Sequence, residues 1–356
     1  MEKTLINDIR TRSELKNISL SGFKKTDVKK QLLLTMFQGK VEPSCYWCAE
    51  LICAGHYMDV WETVIYFLAK YIHLGNPKLA IYLEKRFEVF RNVMIQALYH
   101  DELELRNNST IRDLFAEIIC ILTTSLKKPS IEPMKINKEE EFDMTLMTDK
   151  LKAPSTDYAV PIMKKEDPHE LWIAINEFTF HITSNAKIPN MTLACYWVEW
   201  IIEFDVICKK RKLYCTCETR DKTPVEHKYK KEIIWLIWDA LFYVVLEKKN
   251  EFLHQLLVSL FHLFCIKFTP ACVRKRRYLL YFAVSAVTDS VNTDMEMIQN
   301  KPLLKVTINE INVIYKQIKK NEISPNTDYL FQGLGSENSL QKSLYKLEIL
   351  NGMDFS

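Results

Sequence analysis

Only seven glycines occur in 356 residues, a share of about 2% where about 7% is usual. Glycine is the residue that takes positive φ without strain, so a chain this poor in it has little material for tight hairpins or for loops that wrap a phosphate. An all-α fold is therefore expected. Gly333 and Gly335 form the nearest approach to a glycine-rich loop, but no third glycine and no Lys-Ser/Thr pair accompany them, and nucleotide binding by a phosphate loop is unsupported. A core is affordable: 18 Phe, 16 Tyr and 7 Trp supply enough apolar area to oppose the ordering entropy without disulfide or metal staples.

Helix punctuation recurs along the chain. Pro43 opens an apolar segment through Cys45, Trp47, Cys48, Leu51 and Ile52 that stops at Gly55, the usual order of proline and glycine at helix ends. Asp59 is the expected cap of a second helix closed by Gly75, and Asn76-Pro77 that of a third, whose Leu79, Tyr82, Leu83, Phe87, Phe90 and Met94 keep helical spacing. Ser109 opens a fourth. Helical periodicity returns from about Pro168 and again from Asn190, then in Ile233 to Leu246, Phe252 to Phe268, Ala271 to Val287 and Lys301 to Lys320. Between them Pro129, Pro133, Pro154, Pro161 and Pro168 accumulate beside the acidic run Glu139 to Glu141. The expected organisation is a two-lobed helical bundle: an N-terminal lobe over 1–126, a proline-rich acidic linker over 127–167, a C-terminal lobe over 168–322 and a polar tail over 323–356. Cys45-Tyr46-Trp47 with Glu50, and Cys195-Tyr196-Trp197 with Glu199, echo each other 150 residues apart. Diverged duplication and coincidence explain three matched residues equally well.

The ten cysteines sit among large apolar neighbours and are expected to be reduced core thiols. The stretch Ile233 to Leu246 is interrupted by Asp239 and falls short of the roughly 20 residues a spanning helix needs, so no transmembrane segment is expected. Met1 to Leu20 has no continuous apolar core resembling a secretory signal. A soluble intracellular protein is the expectation.

Candidate chemistry is thin. Cys208, Cys215, Cys217 and His227 lie in one polar stretch, yet a zinc ribbon wants two CxxC-like pairs where this chain has one C-x-C; incidental thiols are the better reading. Cys45 and Cys48 have redox-pair spacing but sit on an apolar helix. His56, His73, His100, His181, His254 and His262 have no nucleophile at motif spacing, and Glu50 with Glu199 read as structural carboxylates. No catalytic residue and no cofactor are expected. The best surface features are two basic runs, Lys209, Lys210, Arg211, Lys212 and Arg274, Lys275, Arg276, Arg277. The first complements a helix C-terminus. The second places four positive charges at the positive end of a helix, where they call for an anion. The whole chain carries only +3, so any such field is local.

The words Ser44-Cys45-Tyr46-Trp47-Cys48-Ala49-Glu50-Leu51, His73-Leu74-Gly75-Asn76-Pro77-Lys78-Leu79 and Leu105-Arg106-Asn107-Asn108 before Ile111-Arg112 resemble a family of helical proteins encoded by nucleocytoplasmic large DNA viruses of algae and protists. The resemblance covers residues 30–130 best. It implies a virion-associated or minor capsid protein without an enzymatic motif, and it carries over no active-site residues. The function then expected is a structural minor capsid or capsid-assembly protein, found in the virion and in host cytoplasm during assembly. Its partners would be capsid proteins or further copies of itself. The rival is a nucleic-acid-associated viral factor for replication, transcription or packaging that grips phosphate through the two basic runs. An acidic protein surface would serve those runs as well.

Overall fold

The structure, a computed structural model, describes residues 4–96, 102–137, 142, 147–183, 190–213 and 215–323. His100, the acidic run at 139–141 and all of the expected tail except Ile323 lie outside the described residues. The fold is all-α. Helices α1 (Lys25–Phe37), α2 (Val41–Cys53), α3 (Tyr57–Phe67), α4 (Lys78–Gln96) and α5 (Ser109–Thr124) precede a long irregular stretch. After it come α6 (Trp172–Ile182), α7 (Met191–Lys210), α8 (Trp235–Lys248), α9 (Glu251–Cys265), α10 (Val273–Thr288) and α11 (Lys301–Lys319). Among the described residues the only β pairing is an isolated bridge between Ile18 and Lys24. None of these helices is singly long and apolar enough to cross a membrane.

Asparagine starts four of the helices. Asn108, Asn190, Asn250 and Asn300 accept from the backbone N–H of Ile111, Leu193, Leu253 and Leu303 at 3.0–3.1 Å, satisfying one of the donors a helix start leaves orphaned. The cap of α5 is thus one residue before the Ser109 expected to open it. Asp59 does not cap α3, which already begins at Tyr57; its carboxylate instead meets Lys25 and Lys29 of α1 at 3.2 and 2.8 Å. Helix α1 was not anticipated. Its buried Val28, Leu32 and Met36 are four apart and form a narrow stripe that packs on α2.

Two glycines act where the sequence places them. Gly55 leaves α2 at φ +77, and a Cβ there would lie 2.7 Å from Leu103 Cδ2. Helix α3 widens into a π turn over Leu68–Ile72 and a 3-10 turn over His73–Gly75. At Gly75 a Cβ would be 2.5 Å from the carbonyl oxygen of Leu126, so only glycine lets that strand of chain pass so closely.

The packing order repeats. In the first five helices α1 packs on α2 and α3, while α5 receives α1, α2, α3 and α4. Five places on, α6 packs on α7 and α8, while α10 receives α6, α7, α8 and α9. Two pairings have no equally close counterpart, α2 on α3 and α8 on α9. The Cys-Tyr-Trp echo falls in α2 and α7, the second helix of each set. A tryptophan also recurs: Trp61 of α3 meets Phe87 and Phe90 at ring separations of 5.0 and 5.7 Å. Trp238 of α8 meets Phe261 and Phe264 at 5.2 and 5.4 Å. Both tryptophans are buried, each against two phenylalanines three residues apart on the next helix.

One continuous core runs through both sets. Helix α4 lies directly on its counterpart α9, and α11 closes over α2 and α5. The stretch expected as a linker is irregular with short 3-10 turns, but it is laid onto this core: Ile136, Met147, Ala159 and Ile162 are buried in it.

Candidate functional site

The basic runs come first, and half of their charges are engaged inside the fold. Arg277 donates to Glu199 at 2.7 Å and Arg274 to Glu203, both carboxylates of α7. Arg276 is buried and donates to the carbonyl oxygen of Phe264 at 2.6 Å. That oxygen lies in the last turn of α9, where carbonyls lack helical partners. The anion that the N-terminus of α10 calls for is therefore supplied by α7 and by the negative end of α9. Lys209 likewise joins Asp205 and Glu232, each at 2.7 Å. Lys210, Arg211, Lys212 and Lys275 remain exposed, without a hydrogen bond or ion pair from their side chains among the described residues. A groove of about 470 Å³ beside Tyr66 and Tyr278 borders the start of α10, and there Lys275 is the one cation among the described residues left without an acceptor.

The candidate zinc ligands do not converge. Cys208 lies beside Cys215, Cys217 Sγ donates to the Glu232 carbonyl oxygen at 3.3 Å, and His227 sits exposed in a short turn. Among the described residues no three His, Cys, Asp or Glu side chains are grouped to hold a metal. Cys45 and Cys48 are both buried free thiols, and burial pushes Cys45 up to about 12, far from a thiolate nucleophile.

The other ionisable groups are held structurally. Glu50 accepts from the Ser21 N–H and hydroxyl, whereas Glu199 answers Arg277 and the Tyr281 hydroxyl, the latter at 2.6 Å. The two carboxylates belong to separate clusters. His56 bonds the Ile18 carbonyl at 2.8 Å. His73 stacks on Phe282 at 4.8 Å, and burial lowers its pKa to about 4. His181 is likewise lowered to about 4 by burial. These imidazoles are neutral near pH 7.

A cleft of about 970 Å³ opens at the seam of the two helix sets. Its floor is apolar: Tyr57 from α3, Phe87, Phe90 and Met94 from α4, and Leu263 and Ile266 around the end of α9. Glu84 of α4 spans the seam, accepting from Ser259 at 2.6 Å and from His262 of α9. That bond raises the His262 pKa. Burial tends to raise Glu84, but the His262 and Ser259 bonds outweigh it and hold the carboxyl below its ordinary value. Each partner thus favours the charged form of the other. Asp59 on the same wall is spent on Lys25 and Lys29. The side chains of Lys16, Arg91 and Lys267 at the mouth are exposed and have no partner among the described residues. They face one wall carboxylate that makes no ion pair or hydrogen bond from its side chain among the described residues, Glu88, whose charge bears on His262.

Beyond His262 a second depression of about 760 Å³ runs over Trp238, Phe242, Tyr243 and Phe261. Sequence reading missed the seam cleft because its cationic rim comes from three separate segments, none of which carries a local basic run. The fold and this cleft define the chain by geometry, as an all-α protein whose main concavity is amphipathic and rimmed by cations. No family model, curated protein or solved structure matches it.

Proposed function

We propose that the chain is a structural interaction protein that acts through protein-protein contacts, and that its place is the shell of a large DNA virus, as a minor capsid or capsid-assembly component. The observation that carries this reading is the seam cleft, where the carboxylates and imidazole of the wall are largely engaged in internal pairs while the floor stays apolar and the rim cationic. Such a surface holds a partner by area and charge. A body with an aromatic wedge in each helix set of one continuous core also suits a component that keeps a fixed shape under a shell. The viral setting rests on the resemblance of residues 30–130 alone. Mass spectrometry of stripped particles tests it: the protein should stay with the shell fraction at constant copy number, and its absence there refutes the reading.

A second reading keeps nucleic acid, because Lys210, Arg211, Lys212 and Lys275 are exposed and unpaired among the described residues. Four phosphate contacts set a limit on the salt dependence, a slope of log K against log salt no steeper than about −4. Binding with a slope between about −2 and −4 that is lost on neutralising these four residues would favour this reading over the first.

A further inference from the structure

We propose that the seam cleft docks an amphipathic segment of a partner protein, apolar on one face and lined with carboxylates along its edges. The inference rests on the interaction-protein reading and names the partner's chemistry. Volume comes first. At about 970 Å³ the cleft stands at the top of the range for small-molecule sites, about 300–1,000 Å³. It suits the anchor residues of two or three helical turns better than a compact metabolite.

Charge then selects the occupant. Every wall anion except Glu88 is already matched, Asp59 by Lys25 and Lys29, and Glu84 by His262. Lys16, Arg91 and Lys267 are unmatched among the described residues and come from three places: the N-terminal segment, α4 and the turn after α9. A docked segment bringing two or three carboxylates would close that balance. One bringing lysines would be repelled. A nucleic acid fits less well, since its unbroken row of phosphates would run past Glu84 and Glu88 and leave the Phe87, Phe90 and Met94 floor unfilled. The floor supplies affinity and the rim supplies sign and register.

Fluorescence anisotropy on the full chain tests this with a labelled helical peptide of about 15 residues, Leu at i, i+3, i+4 and i+7 and Glu along both edges. Its Gln-for-Glu and Lys-for-Glu counterparts and a single-stranded DNA of about 20 nucleotides are the controls. The expected result is binding of the acidic peptide about tenfold tighter than the Gln form, with none by the Lys form. Arg91→Glu and Lys267→Glu should each weaken it about tenfold while leaving the melting curve in place, since both side chains are exposed and unpaired. Equal binding of the Gln peptide, undiminished binding by both variants, displacement of the peptide by the DNA, or no acidic-peptide binding below about 1 mM would each overturn the proposal. The two readings fail separately. A protein present in shells that ignores the peptide loses only the cleft assignment, and one absent from particles that binds it loses only the shell assignment.

Discussion

Replacing Arg220 should unfasten three segments at once. Its guanidinium donates to both oxygens of Asp167, Nη1 to Oδ1 at 2.9 Å and Nη2 to Oδ2 at 2.7 Å, and its Nε donates to Asp239 of α8 at 2.7 Å. Asp167 ends the irregular stretch, Arg220 belongs to the polar loop after α7, and their side chains are 0% and 5% exposed. In Arg220→Met the Asp167 carboxylate stays buried with only the N–H groups of Lys164 and Glu218 to hold it. Breaking a buried pair from one side costs about 3–5 kcal/mol, more than the intact pair contributes, because an uncompensated charge remains. Asp239 adds little, its side chain being 38% exposed and open to water.

Urea unfolding followed by far-UV circular dichroism and tryptophan fluorescence measures the loss, which is read only where the two transitions coincide. Arg220→Met with Asp167→Asn removes the charge but keeps an acceptor for only one of the two N–H groups, which bond different oxygens of Asp167, so part of the loss should return. A pH series adds an independent sign. Burial tends to raise Asp167, but the Arg220 bonds and the Lys164 and Glu218 N–H groups outweigh it and hold the carboxyl below its ordinary value. A depressed folded value means stabilisation present above the ordinary carboxylate range and lost as pH falls through the folded value. The cost of Arg220→Met should therefore shrink as pH falls through the carboxylate range, where the native chain loses this stabilisation and the variant's buried carboxylate takes up a proton. A loss below about 1 kcal/mol, or no coupling between the two sites, refutes the argument.

Other consequences can be measured directly. The Glu84–His262 bond raises His262, so its stabilisation is full below the unfolded value of about 6.5 and fades as pH rises through the folded one. The ring is 46% exposed, so the stability difference between the native chain and His262→Gln should be under about 1 kcal/mol and shrink towards zero in alkali; growth with pH would be the wrong sign. Trp61→Ala and Trp238→Ala should each cost about 3–5 kcal/mol in urea unfolding, and a cost under about 1.5 kcal/mol at either would show that it is no wedge. Burial pushes the Cys45 and Cys217 thiols up to about 12, so alkylation read by mass spectrometry should leave both unlabelled in the native chain and label them once guanidinium unfolds it; prompt native labelling of Cys45 would contradict its burial.

Much of the helical pattern is legible because its signals are local. An asparagine three residues before the N–H it caps, and Gly55 after the last apolar position of α2, can be read within one turn. Helix α1 escaped because Leu33, Leu34 and Phe37 crowd beside the buried Val28, Leu32 and Met36, which blurs the stripe. The basic runs show the limit of local reading. Four cations at the start of α10 are visible in sequence, but the carboxylates that match them, Glu199 and Glu203, lie more than 70 residues earlier, and the Phe264 carbonyl has no sequence signature at all. The seam cleft is less legible still, since Lys16, Arg91 and Lys267 are unremarkable singly and meet only when α4 is laid on α9.

The repeat of packing order also bears on why the seam carries the charges it does. Matching the phenylalanine pairs, Phe87 and Phe90 with Phe261 and Phe264, sets Glu84 in register with Val258 and Glu88 with His262. Were both units to carry the α4 sequence, Glu84 would meet the counterpart of Glu88 where the two helices cross, because an isologous contact sets residue i against j and j against i. A carboxylate at the crossing would then oppose a carboxylate and destabilise the joint. With Glu kept on α4, and Ser259 and His262 on α9, the crossing becomes complementary. The difference between the two helices at these positions is thus what makes this charged crossing complementary. It also leaves the rim unequal, since Arg91 and Lys267 lie on the side of the seam that opens into the larger cleft, whereas the other side is lined by Phe242 and Tyr243.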